Sequence, residues 1–176
     1  MKLFLKLRAW QLFLLIIAPM VLPMFLMQGP EGFRLFGFVT LVWMLVVIGW
    51  LYSVGSEYNS RLPDNLWKET VLFKLGFLVP VIYALIMAFI IFPSFASFEA
   101  QTEQQPFPVW VLPLHFGSMV GMIYGLWFTA KQFATFQKGE TVTFLEYSGP
   151  FFLFWFSPIG VWFLQPKINE ISDSEA

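Results

Sequence analysis

Five long apolar stretches alternate with short polar segments, and none of the five contains Asp, Glu, Lys or Arg. They cover residues 9–30, 35–56, 75–98, 104–130 and 147–166, so each is 20 to 27 residues long. A helix needs about 20 mostly apolar residues to cross the ~30 Å hydrocarbon core of a bilayer. The pattern therefore predicts an all-α integral membrane bundle forming one domain, residues 1–176. Its five transmembrane segments are expected at approximately 9–27, 36–54, 72–92, 109–128 and 150–166.

Composition supports this class of protein. Of the 176 residues, 58% are hydrophobic and 12% are charged, whereas soluble domains carry about 25% charged residues. Unbroken apolar runs such as 12–18 argue against both a β-barrel and a disordered chain. The absence of cysteine excludes disulfides, thiolate metal sites and iron–sulfur clusters. The net charge of −1, with scattered basic residues, argues against a nucleic-acid partner.

Short signals predict where helices begin and end. Asp64 follows a proline and is a plausible N-cap for the third helix, which we expect to start near Asn65. Gly139 is a good C-terminal stop for the fourth helix. Thr143 and Glu146 have the spacing of a capping box, which predicts a short interfacial helix before the fifth run.

The distribution of lysine and arginine predicts the orientation. The basic residues before the first apolar run are typical of a secretory signal, but no small-x-small cleavage site follows, so we expect an uncleaved first span. With a cytoplasmic N-terminus, eight basic residues lie inside and two, Arg34 and Lys167, lie outside. This bias predicts a protein of the cell inner membrane with its N-terminus in the cytoplasm.

The fifth run allows two interpretations. A simple span over 150–166 places the C-terminus outside. Pro158 and Gly160 interrupt the run, however, and also fit a re-entrant or bent pair of half-helices. That alternative returns Lys167 to the inside and changes the count to nine basic residues against one.

Small residues recur at four-residue spacing in two consecutive spans, as in a glycine zipper. They are Gly76, Pro80, Ala84 and Ala88 in the third span and Pro113, Gly117, Gly121 and Gly125 in the fourth. Such stripes let two helix backbones approach closely in lipid. Antiparallel pairing with Gly76 level with Gly125 predicts closest approach near Ala84 and Gly117. A homodimer seam is the alternative to this internal seam.

His115 is the only histidine and lies within the fourth run, which makes it a weak functional candidate. One histidine cannot supply both axial ligands of a haem, and no acidic neighbour in the run completes a metal site. We therefore expect no cofactor, no metal and no catalytic residue. The alternative role for His115 is an interfacial side chain hydrogen-bonded to the outer loop.

The C-terminal region has an aromatic run, a Pro-Ile-Gly turn and a Gln-Pro-basic-Ile-Asn ending, at 151–156, 158–160 and 165–169. These features resemble the end of small polytopic membrane proteins of the Bacteroidota, a group without an assigned activity. The resemblance implies a bacterial inner membrane and leaves the mechanism open.

The uncharged spans and thin loops favour a non-catalytic accessory or scaffold subunit. Such a protein would contact the lipid bilayer and other membrane proteins, or itself, through its helices. The alternative is a small transporter or channel for a neutral or lipophilic solute, with a cavity lined by Thr40, Tyr83, Ser118 and Tyr124. A lipid-modifying enzyme with inner-loop acids in one pocket comes third.

Overall fold

The structure is a computed structural model that describes residues 3–26, 30–96 and 108–173. Every regular element within these ranges is a helix, which confirms the expected all-α class. The helices are α1 (Leu3–Lys6), α2 (Ala9–Leu26), α3 (Pro30–Ser60), α4 (Val71–Ile86), a π-helical turn (Met87–Ile91), α5 (Phe92–Ala96), α6 (Val111–Lys138), α7 (Phe144–Trp155) and α8 (Ser157–Asp173). Most of the predicted outer loop, and residues 27–29 where the first predicted span ends, lie outside the described residues.

Three helical stretches are long and apolar enough to cross a membrane, namely Arg34–Ser60, Val71–Ser94 and Val111–Lys138. The apolar part of α2, Ala9–Pro23, is shorter. Helices α7 and α8 pass the same test only as a pair, so the number of candidate spans is three, or four if the pair is one span. The membrane-type bundle is therefore supported, and five separate spans are not confirmed.

Local signals at the end of α6 act as predicted. Gly139 follows the helix with φ 75°, the left-handed conformation that ends a helix and suits glycine. Thr143 and Glu146 form a complete capping box at the start of α7. The Lys138 ammonium binds the Glu146 carboxylate and so ties the two helix ends together.

The predicted start of the third helix near Asn65 is wrong. Helix α4 begins at Val71, after the N-cap Thr70. Helix α3 continues to Ser60, where Asn59 is only 1% exposed. The Asn59 side chain accepts a hydrogen bond from the Lys68 N–H (3.0 Å) and donates one to the Lys68 carbonyl (2.9 Å). These bonds satisfy the Lys68 backbone outside a helix, and the Leu66 and Trp67 N–H groups bond to the Pro63 carbonyl in a turn.

Helices α7 and α8 form a hairpin, whose axis turns by 118° at Phe156. A Cβ at Gly160 would collide with the Leu153 carbonyl, so glycine permits the two helices to touch next to the bend. The predicted straight span over 150–166 is therefore wrong. The structure has the alternative, a bent pair interrupted next to Pro158.

Both arms of this hairpin meet the same end of the bundle. Helix α7 starts directly after α6, and Asn169 near the end of α8 donates a hydrogen bond to the Leu5 carbonyl of α1 (2.7 Å). Ile168 lies beside Tyr58 at the end of α3. We call this end of the bundle, where α1 and the last turns of α3, α6 and α8 lie, the terminal end.

The core is concentrated toward the terminal end. Buried aromatic side chains pack there between helices, with Phe73 and Phe128 stacked at 4.2 Å and Tyr58 edge-on to Phe133 at 5.1 Å. Helix α6 is buried along most of Gly125–Thr135 and largely exposed along 112–120. The hairpin tip reaches only the level of Trp50, where Phe154 packs at 5.2 Å. The other half of the bundle therefore lacks this filling.

Candidate functional site

A cavity of about 350 Å³ lies beyond the hairpin tip, between α3, α4 and α6. Phe154, Trp155 and Ser157 line it from the hairpin. Helix α3 contributes side chains between Trp43 and Leu51, and α6 contributes side chains between His115 and Leu126. The lining is mostly apolar, with a few polar groups, which is the usual character of a small-molecule site.

A hydrogen-bonded pair provides the main polar feature of this cavity. His115 Nδ1 and the Tyr83 hydroxyl are 2.9 Å apart, and their rings are 5.3 Å apart. When the phenol donates to Nδ1, the imidazole carries its proton on Nε2 and can donate to a ligand. Nε2 has no hydrogen-bond partner among the residues that the structure describes.

Two further polar groups line the same space. The Ser118 hydroxyl is 4% exposed and donates to the Leu114 carbonyl at 2.8 Å, so its oxygen can still accept a bond. The Trp43 indole N–H is buried and has no hydrogen-bond partner within the described part of the chain. A buried donor without a partner costs about 1–3 kcal/mol.

The polar groups of this cavity are suited to hydrogen bonding. Among the residues that the structure describes, its lining contains an imidazole, a phenol, two serine hydroxyls and two indoles, but no carboxylate or amine. Among the described residues, no group of three His, Asp or Glu side chains could hold a metal ion. The arrangement can therefore hold a largely apolar molecule and hydrogen-bond to one neutral polar group.

The partner of His115 among the described residues is Tyr83 on the neighbouring helix. Most of the outer loop predicted to bind His115 lies outside the described residues, so that prediction stays open. Of the residues predicted to line a cavity, Tyr83 and Ser118 line this one, whereas Thr40 and Tyr124 do not. The Tyr83–His115 pair could have been found from sequence, because both are polar and lie in consecutive antiparallel apolar runs.

The small-residue stripes touch, but in another register. A Cβ at Gly121 would collide with the Gly76 carbonyl, so Gly76 faces Gly121 and not Gly125. Gly125 is covered by the Phe77 ring, and a Cβ at Gly117 would meet only Val79, at 3.7 Å. The predicted closest approach of Ala84 and Gly117 is therefore wrong.

The other small residues of the two stripes do not lie at the contact between Gly76 and Gly121. Ala84 and Ala88 cluster with Leu41 of α3, because α4 turns its Gly76, Val79 and Tyr83 face toward α6. Pro80 is buried, and Pro113 is exposed. The stripe that starts at Gly76 is thus divided between two neighbours, α6 and α3, and does not form one continuous seam.

The Gln-Pro-basic-Ile-Asn ending forms a hydrogen-bonded clamp. Gln165, fully buried, donates to the carbonyls of Phe4 (2.9 Å) and Leu7 (2.8 Å) and accepts from Trp50 Nε1 (2.9 Å). Asn169 donates to the Leu7 carbonyl at 3.1 Å as well as to Leu5. Spaced by four residues, the two amides share one face of α8 and satisfy carbonyls that the short helix α1 leaves without partners. This motif holds the two chain ends together.

Comparison with protein-family models, curated proteins and solved structures found no match to this chain.

Proposed function

We propose that this protein is a multi-pass membrane protein that binds a neutral, lipophilic molecule with one polar group, as a small transporter or carrier. The observation that carries the proposal is the cavity beyond the hairpin tip, with the His115–Tyr83 pair in an apolar lining. The accessory or scaffold role favoured by the sequence stays a prediction. A tightly filled interior would support that role, and the cavity favours the transporter alternative.

The position of the cavity favours access from the side. Met119, Ile123 and Trp155 line it and are each 43–48% exposed. These residues lie on the apolar outer face of the bundle, which would face acyl chains in a bilayer. A lipophilic molecule could therefore enter from the membrane core without crossing water.

We also propose a cytoplasmic N-terminus in the inner membrane, with the hairpin re-entering from the cytoplasmic side. The hairpin brings Lys167 to the terminal end, together with Lys6, Lys68 and Lys131. Nine of the ten basic residues then belong to one side and Arg34 to the other, as the positive-inside rule favours. Next to the bend, Phe154 and Ser157 are buried, at 1% and 4% exposure, so protein covers part of the backbone there.

Cysteine labelling tests this topology, because the native chain contains no cysteine. Single substitutions Asp64→Cys, Glu103→Cys and Glu170→Cys are treated with a membrane-impermeant thiol reagent in intact and permeabilised spheroplasts. We expect Glu103→Cys to react in intact spheroplasts and the other two only after permeabilisation. Reaction of Glu170→Cys in intact spheroplasts would contradict the re-entrant hairpin, and equal sidedness of Asp64→Cys and Glu103→Cys would contradict the whole topology.

Ligand binding is testable by tryptophan quenching, since Trp43 and Trp155 line the cavity. We expect 11-bromoundecanol to quench a part of the fluorescence saturably in the detergent-solubilised protein. Ser118→Leu should remove this saturable part by filling the cavity. Ser148→Leu is the matched control, because Ser148 has a similar bond to a preceding carbonyl but lies outside the cavity lining.

The same quenching experiment also tests the hydrogen bond between the ligand and the His115–Tyr83 pair. Tyr83→Phe should weaken binding of the bromoalcohol roughly fivefold, the equivalent of one hydrogen bond of about 1 kcal/mol. Binding of 1-bromoundecane, which lacks the hydroxyl, should not change. Quenching that is unsaturable, or that survives Ser118→Leu, would refute the proposed site.

A further inference from the structure

A second, smaller pocket lies at the terminal end, about 180 Å³ in volume, between the 61–70 turn and α6. Two cations line it, Lys68 and Lys131. Neither forms an ion pair with any residue that the structure describes. Among the described residues, Glu69 is the one carboxylate in the lining, so these side chains give the pocket a net positive charge.

Both lysines are held in place. The two Asn59 bonds to the Lys68 backbone, at 3.0 and 2.9 Å, fix the turn that carries the Lys68 side chain. The Lys131 ammonium lies 5.1 Å from the centre of the Trp127 ring, in a cation–π contact. Trp127 is itself held by a 3.0 Å bond from Nε1 to the Tyr147 hydroxyl. The Lys131 charge therefore needs little ordering before it binds an anion, and Lys68 is anchored beside the pocket through its backbone.

An unpaired amide points to a missing ligand. Gln132 lines this pocket and is only 2% exposed. Its side chain has no hydrogen-bond partner within the described ranges of the chain. A buried amide is normally paired, and its N–H groups would be satisfied by oxygen atoms of a bound anion.

The neighbouring surface indicates that the anion carries acyl chains. A groove of about 360 Å³, with a nearly wholly apolar lining, runs alongside between α6 and α7. Tyr124 and Trp127 border both the pocket and this groove. Phe144 and Phe151 line the groove farther along α7. An amphiphile could place its charged group between the lysines and a chain along the groove.

We propose that this pocket binds the phosphate of an acidic phospholipid from the cytoplasmic leaflet. Lys68 and Lys131 neutralise the phosphate, and Gln132 donates a hydrogen bond to it. The groove holds part of an acyl chain. This site is separate from the cavity beyond the hairpin tip. The lipid-binding proposal can therefore be tested independently of the proposed transporter function. Its position agrees with the attraction of basic residues to the anionic inner leaflet.

Native mass spectrometry of the full chain in detergent tests the proposal, with phosphatidylglycerol, phosphatidylcholine and inorganic phosphate as probes. We expect phosphatidylglycerol to bind at least tenfold more tightly than phosphatidylcholine. Lys68→Gln and Lys131→Gln should each weaken phosphatidylglycerol binding roughly fivefold, and Gln132→Leu should also weaken it. Lys138→Gln is the matched control, since Lys138 at the same end is already paired with Glu140 and Glu146.

Three results would overturn the proposal. One is equal binding of the two phospholipids. The second is an equal loss in Lys138→Gln and Lys68→Gln, which would indicate a general effect of charge. The third is inorganic phosphate at millimolar concentration displacing the lipid, which would make this a site for free phosphate. Lys68 is exposed, so its variant keeps the test valid even if Gln132→Leu fails to fold.

Discussion

Gly121→Leu is expected to prevent stable folding of the bundle. A side chain at this position would enter the Gly76 backbone directly, and a backbone cannot move aside as a flexible side chain can. In lipid, association of helices relies on close packing in place of a hydrophobic drive. We expect a loss of about 3 kcal/mol or more, measured as the fraction folded during denaturation with sodium dodecyl sulfate in mixed micelles.

Gly117→Leu provides the matched control one turn away. Gly117 is exposed, and a Cβ there would meet only a Val79 methyl, at ordinary contact distance. This variant should unfold within about 0.5 kcal/mol of the parent, as surface substitutions do. The predicted register would give the opposite order, with Gly117 near the closest approach. Equal stability of the two variants, or a larger loss in Gly117→Leu, would refute the packing described above.

The contrast between correct and incorrect predictions follows the range of the interactions. Gly139 and the Thr143–Glu146 capping box depend on a few consecutive residues, so their roles can be read from sequence. The start of α4 depends instead on Asn59, which binds Lys68 nine residues later. Nothing near Asp64 reveals that contact, and a plausible N-cap there was misleading.

The register of α4 on α6 illustrates the same limit. Four-residue spacing identifies the face of a helix that packs. One helix can still shift by a turn along the other without changing which faces meet. The Phe77 ring covers Gly125 and the Tyr83–His115 bond lies near the other end. These two contacts are compatible with Gly76 opposite Gly121. Sequence therefore predicted which two helices meet, while bulky neighbours determined which glycines touch.

The candidate cavity could be predicted only in part. Tyr83 and Ser118 were found because polar residues in apolar runs are rare. The cavity itself exists because the hairpin ends at the level of Trp50 and leaves the other half of the bundle less filled. The height of the hairpin tip depends on the bend at Phe156. In the sequence, Pro158 and Gly160 fit such a bend, but a simple span was the other interpretation. Trp43 and Ser157 were missed for this reason.

Gln165→Leu is the second variant for which we expect a large effect. Leucine is similar in volume but cannot hydrogen-bond, so the buried Trp50 N–H and the part-buried Phe4 carbonyl would each lose this partner. Leu7 would keep the bond from Asn169. Each unpaired buried group costs about 1–3 kcal/mol, so we expect a total loss of about 3–5 kcal/mol in the same denaturation measurement. Gln137→Leu, at an exposed position on α6, should have little effect.

A double-mutant cycle separates this bond from a general disturbance of α8. Trp50→Phe removes the indole N–H, so adding it to Gln165→Leu removes one of the groups left unpaired. The double variant should therefore lose at least 1 kcal/mol less than the sum of the two single losses. Strict additivity would mean that the 2.9 Å contact between Trp50 and Gln165 contributes no coupling. A Gln165→Leu variant as stable as Gln137→Leu would show that the clamp does not hold the chain ends together.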